Sequence, residues 1–461
     1  MDAENELDAL SILVENCAPA QEGFTCPCEG EGSINIDAGG GTRLSEIIQN
    51  GDLPANTLNN TCLAIAGRLE VDADYLIDGG EIRMQPGSEI IVETFRSLTL
   101  QNINQNRGIH GCEQMWRGIA FTGGGGSLNI TDCRIEDAQY AVTILSAFGG
   151  TTPINFEDNN FNRNYVGVYF PDNGGGFSPV LLNMEANTFQ TAGSPLLPPF
   201  DNNPGPFPVL DKGYTGIWAV TKYDLGFDSA GPLANNFNNL FFGVVLENCF
   251  RWELSNANFT DISRGAIFTT NDTRLTANGN TFTDCDVGIL SLAPKARQEF
   301  SGNQFIRGQT AISAYGTGLT SFDITDNDMQ EVDAFGVILS GVESSAQVMI
   351  ANNDIDLIEG NFTTQAGISV TQFSPPTAGS PSSNRLISQN TLDFEDGNGI
   401  VLSYSPDFTI EQCTLTTQGI DGNTKGIHLV NSEGAVVSEN VLQDAGATEP
   451  TEGMRIDASR N

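Results

Sequence analysis

The sequence predicts an all-β fold, a right-handed parallel β-helix of about thirteen or more stacked coils with an N-terminal cap. Three observations predict it. A Gly followed by Ile or Val recurs along most of the chain, mostly at spacings of 22 to 32 residues. Ahead of many of these steps stands Asn with an apolar residue one or two positions later, as in Asn280-Thr281-Phe282 before Gly288-Ile289. The runs between them alternate with period two, so each unit reads as short strands joined by tight turns.

Residues 1–61 read as an irregular N-terminal segment and cap. Cys17, Cys26 and Cys28 cluster there, in a stretch suited to pinning by disulfides. Leu44–Asn50 has a helical L-x-x-I-I pattern ended by Gly51, and a helix here would cover the first coil, since repeat arrays need an end cap. Residues 62–461 read as the solenoid. Its Gly steps include Gly118-Ile119, Gly167-Val168, Gly216-Ile217, Gly288-Ile289, Gly336-Val337 and Gly426-Ile427, with Ala141, Ala266 and Ala311 taking the place of Gly in three units. The leucine consensus of leucine-rich repeats is absent, and a propeller blade would need longer units. Two Pro-containing insertions interrupt the period, at 191–212 and 371–384.

The Asn positions are Asn160 and Asn258 directly before Phe, and Asn187, Asn280, Asn303, Asn327, Asn353, Asn390 and Asn440 with one residue between. Asn tolerates left-handed backbone at a sharp bend, and its amide can bond the Asn of the next coil, so the set predicts a ladder. The following Phe or Leu points inward. Cys133 and Cys413 stand where Asn is expected and read as small buried substitutes. Asn280, Phe282, Asn303, Phe305, Gly288 and Gly336 are therefore assigned structural roles.

Net charge is −38, from 58 acidic and 20 basic residues, four of them Lys. Such a surface repels nucleic acid and anionic membrane. The 39% hydrophobic content with 27 Phe argues for a packed core rather than disorder. No apolar run approaches the ~18 residues of a membrane span. The closing Met-Arg-Ile-Asp stretch from Met454 stops inside a repeat, so the chain is expected to be part of a larger exported protein.

Roughly residues 62–461 resemble the pectate-lyase-like parallel β-helix superfamily. Gly111-Cys112-Glu113-Gln114-Met115-Trp116-Arg117-Gly118-Ile119, following Arg83-Met84-Gln85-Pro86-Gly87, resembles secreted cell-surface β-helix proteins of Bacteroidota, a group that often leaves by the type IX secretion system. The resemblance implies the fold and an extracellular or cell-surface location. It implies no activity, because lyases, hydrolases, adhesins and tailspikes share the fold.

Hydrolases of this fold resemble one another in paired Asp residues with G-H-G and R-I-K motifs. None of these is present, and Gly108-Ile109-His110-Gly111 is a distant echo, so no catalytic residue is assigned. Acidic residues gather in the turns before the Gly strand: Asp261, Asp284, Asp286, Glu331, Asp333, Asp356 and Glu359, with Arg163, Arg264 and Arg307 in the same column. They read as a mixed-charge ladder worth ~0–1 kcal/mol per pair. The alternative is that Asp261, Asp284 and Asp286 converge on a calcium ion, the one cofactor the sequence suggests. Asp72-x-Asp74-x-x-x-Asp78 is a partial calcium loop. Alternation points Tyr169, Trp218, Val245, Phe268 and Leu290 outward on consecutive coils. A line of large apolar side chains needs a cover. The insertion 191–212, with Phe200 and Phe207, would supply it, or else Tyr169, Trp218, Phe268 and Leu290 form a face for a glycan or protein partner.

The function expected is a non-enzymatic extracellular structural or adhesive module of a cell-surface protein, fibre or appendage. Its partners would be other protein chains, surface glycans or further copies in an oligomer or filament. The alternatives are a lyase or glycoside hydrolase acting on acidic polysaccharide, and a carbohydrate-binding module.

Overall fold

The computed structural model describes residues 24–30, 32–145, 152–172, 180–201, 212–220, 224–228, 234–316, 321–341, 347–358, 365–373, 385–417, 424–445 and 452–457. Cys17, Phe207, Glu359 and most of the insertion 371–384 lie outside them. The chain divides into two compact units, Met1–Val245 and Leu246–Asn461.

Unit 1 is a stack of parallel strands. Among the described residues the first strand is Ile34–Asp37, which pairs in parallel with Leu63–Ala66. The helix Leu44–Asn50 follows, its C-terminal turn closed by Gly51 at φ 85. Asp72 accepts hydrogen bonds from the Ser45 backbone N–H and hydroxyl, at 2.9 and 2.6 Å, and so holds the start of that helix against the next coil. Asp74 and Asp78 likewise accept from Ser97 and Asn102, so the carboxylates of the suspected calcium loop are engaged within the protein. One column of Gly-step strands runs through Gly118–Phe121, Tyr140–Ile144, Val166–Phe170 and Gly213–Val220. A second runs through Leu98–Gln101, Leu128–Thr131, Thr152–Glu157 and Val180–Glu185.

Unit 2 repeats the plan with longer strands. Arg251–Ser255, Arg274–Asn278, Gln298–Ser301, Phe322–Thr325 and Val348–Ala351 form one column. Asn258–Thr270, Thr281–Leu292, Gln304–Tyr315 and Asp328–Ser340 form the rest of the coil, each bending sharply at one residue. Those residues are Asp261, Asp284, Arg307 and Glu331, all at φ 52–54.

The bend before the Phe is built differently from the sequence expectation. The left-handed residue is the one before the Asn: Gly279, Gly302, Asp326 and Asn352, at φ 56–62. The Asn itself is buried and does the bonding. Asn280, Asn303 and Asn327 each donate from Nδ2 to Oδ1 of the next Asn, at 3.0, 3.0 and 2.9 Å, and to a backbone carbonyl of the preceding coil. In unit 1 the same ladder runs through Asn159, Asn187 and Asn235. Asn159, not Asn160, holds the position, and at the Asn258 bend it is filled by Ala257, whose N–H is accepted by Asn280 Oδ1 at 3.0 Å. The position is always two residues before the inward apolar side chain. The Cys133 and Cys413 N–H groups bond to Asn159 and Asn440 in the same manner, and burial pushes the Cys133 thiol up to about 12.

The Phe and the Gly of the repeat belong to one contact. Phe282 stacks on Phe305 at 4.6 Å between ring centroids. A methyl group at Gly288 would lie 2.4 Å from Phe305 Cε1, and at Gly336 it would lie 2.7 Å from Ile355 Cγ2. The ring of one coil thus occupies the space a side chain would need on the coil before it.

Candidate functional site

The side chains predicted to face outward from the Gly strands are covered. In unit 1 Trp218 is 5% exposed and Tyr169 half-buried; in unit 2 Phe268 and Leu290 are 6% and 8% exposed. Trp218, Phe268 and Leu290 are thus nearly enclosed, while Tyr169 stays partly exposed. The insertion contributes differently too. Phe200 stacks on Tyr165 at 3.9 Å, and Tyr165 on Tyr214, which meets Trp218 edge-on. The Pro198 carbonyl accepts from the Met115 N–H. The described part of the insertion is therefore strapped along the coils that carry Met115 and Tyr165.

Beneath that strap lies a buried ion cluster that the repeat pattern did not flag. The Glu136 and Asp137 carboxylates are fully enclosed. Arg163 spans both, with Nε 3.0 Å from Asp137 Oδ1 and Nη2 2.8 Å from Glu136 Oε2. Arg107 and Arg134 bind the same carboxylates from the rim, and Ser194 of the insertion accepts from Arg163 Nη1. The sequence signal was Glu136-Asp137 at a bend, which an ordinary turn shares.

His110 is also enclosed. Its Nε2 lies 2.9 Å from Glu81 Oε1 and its Nδ1 3.0 Å from the Gly111 carbonyl, so both ring nitrogens are occupied. Burial raises the Glu81 carboxyl, but hydrogen bonds from His110 and Arg83 outweigh it and hold the group below the usual carboxylate range. The segment around Cys26 and Cys28 crosses this face. Cys28 is disulfide-bonded to Cys62 and Cys26 to Cys112, while Pro27 accepts from Arg83 at 2.9 Å and Gln85 accepts from the Cys26 N–H.

The acidic column of unit 2 is the open site. Asp261, Asp284, Asp286, Arg307, Glu331 and Asp333 line a trough of about 650 Å³. The left-handed bends turn Asp261, Asp284, Arg307 and Glu331 out to solvent one above another. Arg307 grips Asp284 with two parallel bonds, Nε to Oδ1 at 2.9 Å and Nη2 to Oδ2 at 3.0 Å. The hydrogen bonds from Arg307 hold the Asp284 carboxyl below its ordinary range. Two residues on, Asp286 is half-buried, and burial raises its carboxyl although the charge of Arg264 opposes the rise. Cys285 between them points inward, and burial pushes its thiol up to about 12. Among the described residues no group of three or more His, Cys, Asp or Glu side chains is placed to hold a metal ion, so Asp261, Asp284 and Asp286 share the trough without ligand geometry.

The stacking, the Asn ladder and the Gly–ring contact are those of a coiled sheet. The profile of the family described as right handed beta helix region matches residues 242–442. The chain is a right-handed parallel β-helix. The solved structure of the periplasmic alginate epimerase AlgG is similar to this β-helix at 10% identity and a TM-score of 0.26, over 90% of this chain and 82% of that one. The catalytic domain of a GH87 alpha-1,3-glucanase, solved with tetrasaccharides, is similar at 11% identity and a TM-score of 0.20, over 95% of this chain and 70% of that one. No curated protein matches the sequence. No helix of the described residues is long and apolar enough to cross a membrane.

Proposed function

We propose that this β-helix is a non-catalytic structural and adhesive module of an exported protein, with the trough of unit 2 as its contact surface. The observation that carries the reading is the commitment of the trough's charges. Asp284 is spent on Arg307, and the other carboxylates line an open trough rather than converge in a closed cleft. The bonds Cys26–Cys112 and Cys28–Cys62 favour an oxidising compartment. Carboxylates with one guanidinium suit a partner rich in hydroxyl or ammonium groups, and the net charge of −38 disfavours polyanions. Retention on immobilised neutral glycans, cationic polymers and polyanions tests this. Binding to the first or second class is expected, weakened at least tenfold by Asp261→Asn with Glu331→Gln. Binding that these changes leave intact would remove the trough from the account.

One observation favours a second reading. Asp284 and Asp286 both line the open trough, and a pair of carboxylates is what glycoside hydrolysis requires. On that reading Asp286 would be the proton donor. Turnover separates the two.

A further inference from the structure

The ends of the Gly strands in unit 2 carry an uncharged strip. Tyr315 is in register with Ser340, Ser340 with Thr371 and Thr371 with Ser403, which precedes Tyr404. The residues just before them, Ala314, Leu339, Val370 and Leu402, are buried in the core, so alternation turns this row outward. Ser340, Thr371 and Ser403 are half-buried, and the Thr371 hydroxyl donates to Ser340 Oγ at 2.9 Å. Tyr315 and Tyr404 close the row at its two ends, 41% and 58% exposed. Three coil steps separate the rings, about 14 Å. None of the residues 313–316, 338–341, 369–372 and 401–404 is charged, in a chain of net charge −38. Tyr404 also stands in the left-handed region, at φ 49, where the neighbouring coils place Gly341, Gln372 and Asn431. A bulky aromatic residue is rare there, and a disfavoured conformation kept at the surface points to a use for the ring.

We propose that this strip binds a neutral polysaccharide, with Tyr315 and Tyr404 stacking on sugar faces and the hydroxyls between them bonding to the chain. Aromatic rings offer flat apolar faces to the C–H surface of a sugar, and each hydroxyl of the row both donates and accepts. The spacing of the rings suits an oligosaccharide stretch rather than a single sugar. The row of hydroxyls between the rings disfavours an apolar protein surface, and the absence of charge disfavours an ionic partner. The strip shares no residue with the trough and does not rest on binding there.

Depletion of the whole chain from solution by immobilised cellulose, mannan and polygalacturonate, measured over a range of polymer loads, tests this. Binding to at least one of the two neutral polymers is expected, and none to the polyanion. Tyr315→Ala with Tyr404→Asn should weaken it about tenfold, whereas Tyr315→Phe with Tyr404→Phe should keep it. Asn already holds the matching turn at Asn431, so the first variant keeps the fold, which its unfolding midpoint checks. Binding should be equal at low and high salt, since no ion pair supports it, and should survive Asp261→Asn with Glu331→Gln. No binding to either neutral polymer, or binding that the Tyr315→Ala, Tyr404→Asn variant retains, would overturn the proposal. Loss of binding in the Asp261→Asn, Glu331→Gln variant would place the glycan in the trough instead. Self-association in sedimentation that the Tyr substitutions abolish would give the strip to a second copy of the chain and likewise overturn the proposal.

Discussion

Gly288 and Phe305 form a contact that either residue alone does not explain. A methyl at Gly288 would meet the Phe305 ring 2.4 Å away, so Gly288→Ala should cost about 1–3 kcal/mol by overpacking. In a Phe305→Ala background the same change should cost less but not vanish, because the methyl would still lie 2.7 Å from the Ala311 carbonyl oxygen; a double-mutant cycle in denaturant would measure the coupling. Equal costs in both backgrounds would break the contact account. Asn303 sits within the ladder, accepting from the Asn280 N–H and side chain and donating to Ala277 and Asn327. Asn303→Ala strands these partners and should cost about 1–3 kcal/mol, read from the unfolding midpoint. These parts were legible because the fold needs them in every coil. The finer register was not: Asn159 and Asn160 are neighbours of one type, and only stacking shows which amide turns inward.

At the scale of elements, the ion cluster and the disulfide-linked segment around Cys26 and Cys28 bind stretches far apart in sequence. Arg163 compensates two enclosed carboxylates, Glu136 and Asp137. Arg163→Met should therefore destabilise the protein by about 3–5 kcal/mol, well beyond a surface ion pair, and a midpoint shift under 1 kcal/mol would show that Arg107 and Arg134 suffice. The disulfides should matter in the same manner. Cys28→Ser with Cys62→Ser removes a link closing 34 residues and is expected to cost about 2–4 kcal/mol in thermal unfolding, with faster proteolysis near Gly30. The helix Leu44–Asn50 was readable from its spacing and its Gly51 stop. The route of the insertion was not, because Pro and Phe content says that a segment packs somewhere but not that Phe200 meets Tyr165. The low exposure of Trp218, Phe268 and Leu290 was not legible for a related reason: alternation gives a side chain's direction, while its exposure depends on what folds over it.

At the scale of the whole molecule, acidity sets how stability follows pH. Asp354 lies opposite Asp328, and burial and then the charges of Asp328 and Asp393 raise its carboxyl above 3.8. A group raised on folding contributes stability that is fully present below its unfolded value and is lost as pH rises through its folded value. Asp354→Asn should thus raise stability at pH 7 by about a few tenths of a kcal/mol, solvent screening keeping the gain small, and give none at pH 3. Asp284 and Glu81 work in the opposite direction, their contribution present at neutral pH and lost on acidification. The solenoid itself was legible from the repeat because every coil restates it. The trough was legible as a column of charged bends, yet its use is a matter of chemistry that spacing does not encode. Turnover tests the central claim most directly. The chain, and its Asp286→Asn variant, would be incubated with neutral and acidic polysaccharides, with and without calcium, and followed for new reducing ends and unsaturated products. The account predicts no product from either protein above a no-enzyme control; product from the unsubstituted chain that disappears with Asp286→Asn would contradict it and make the trough an active site.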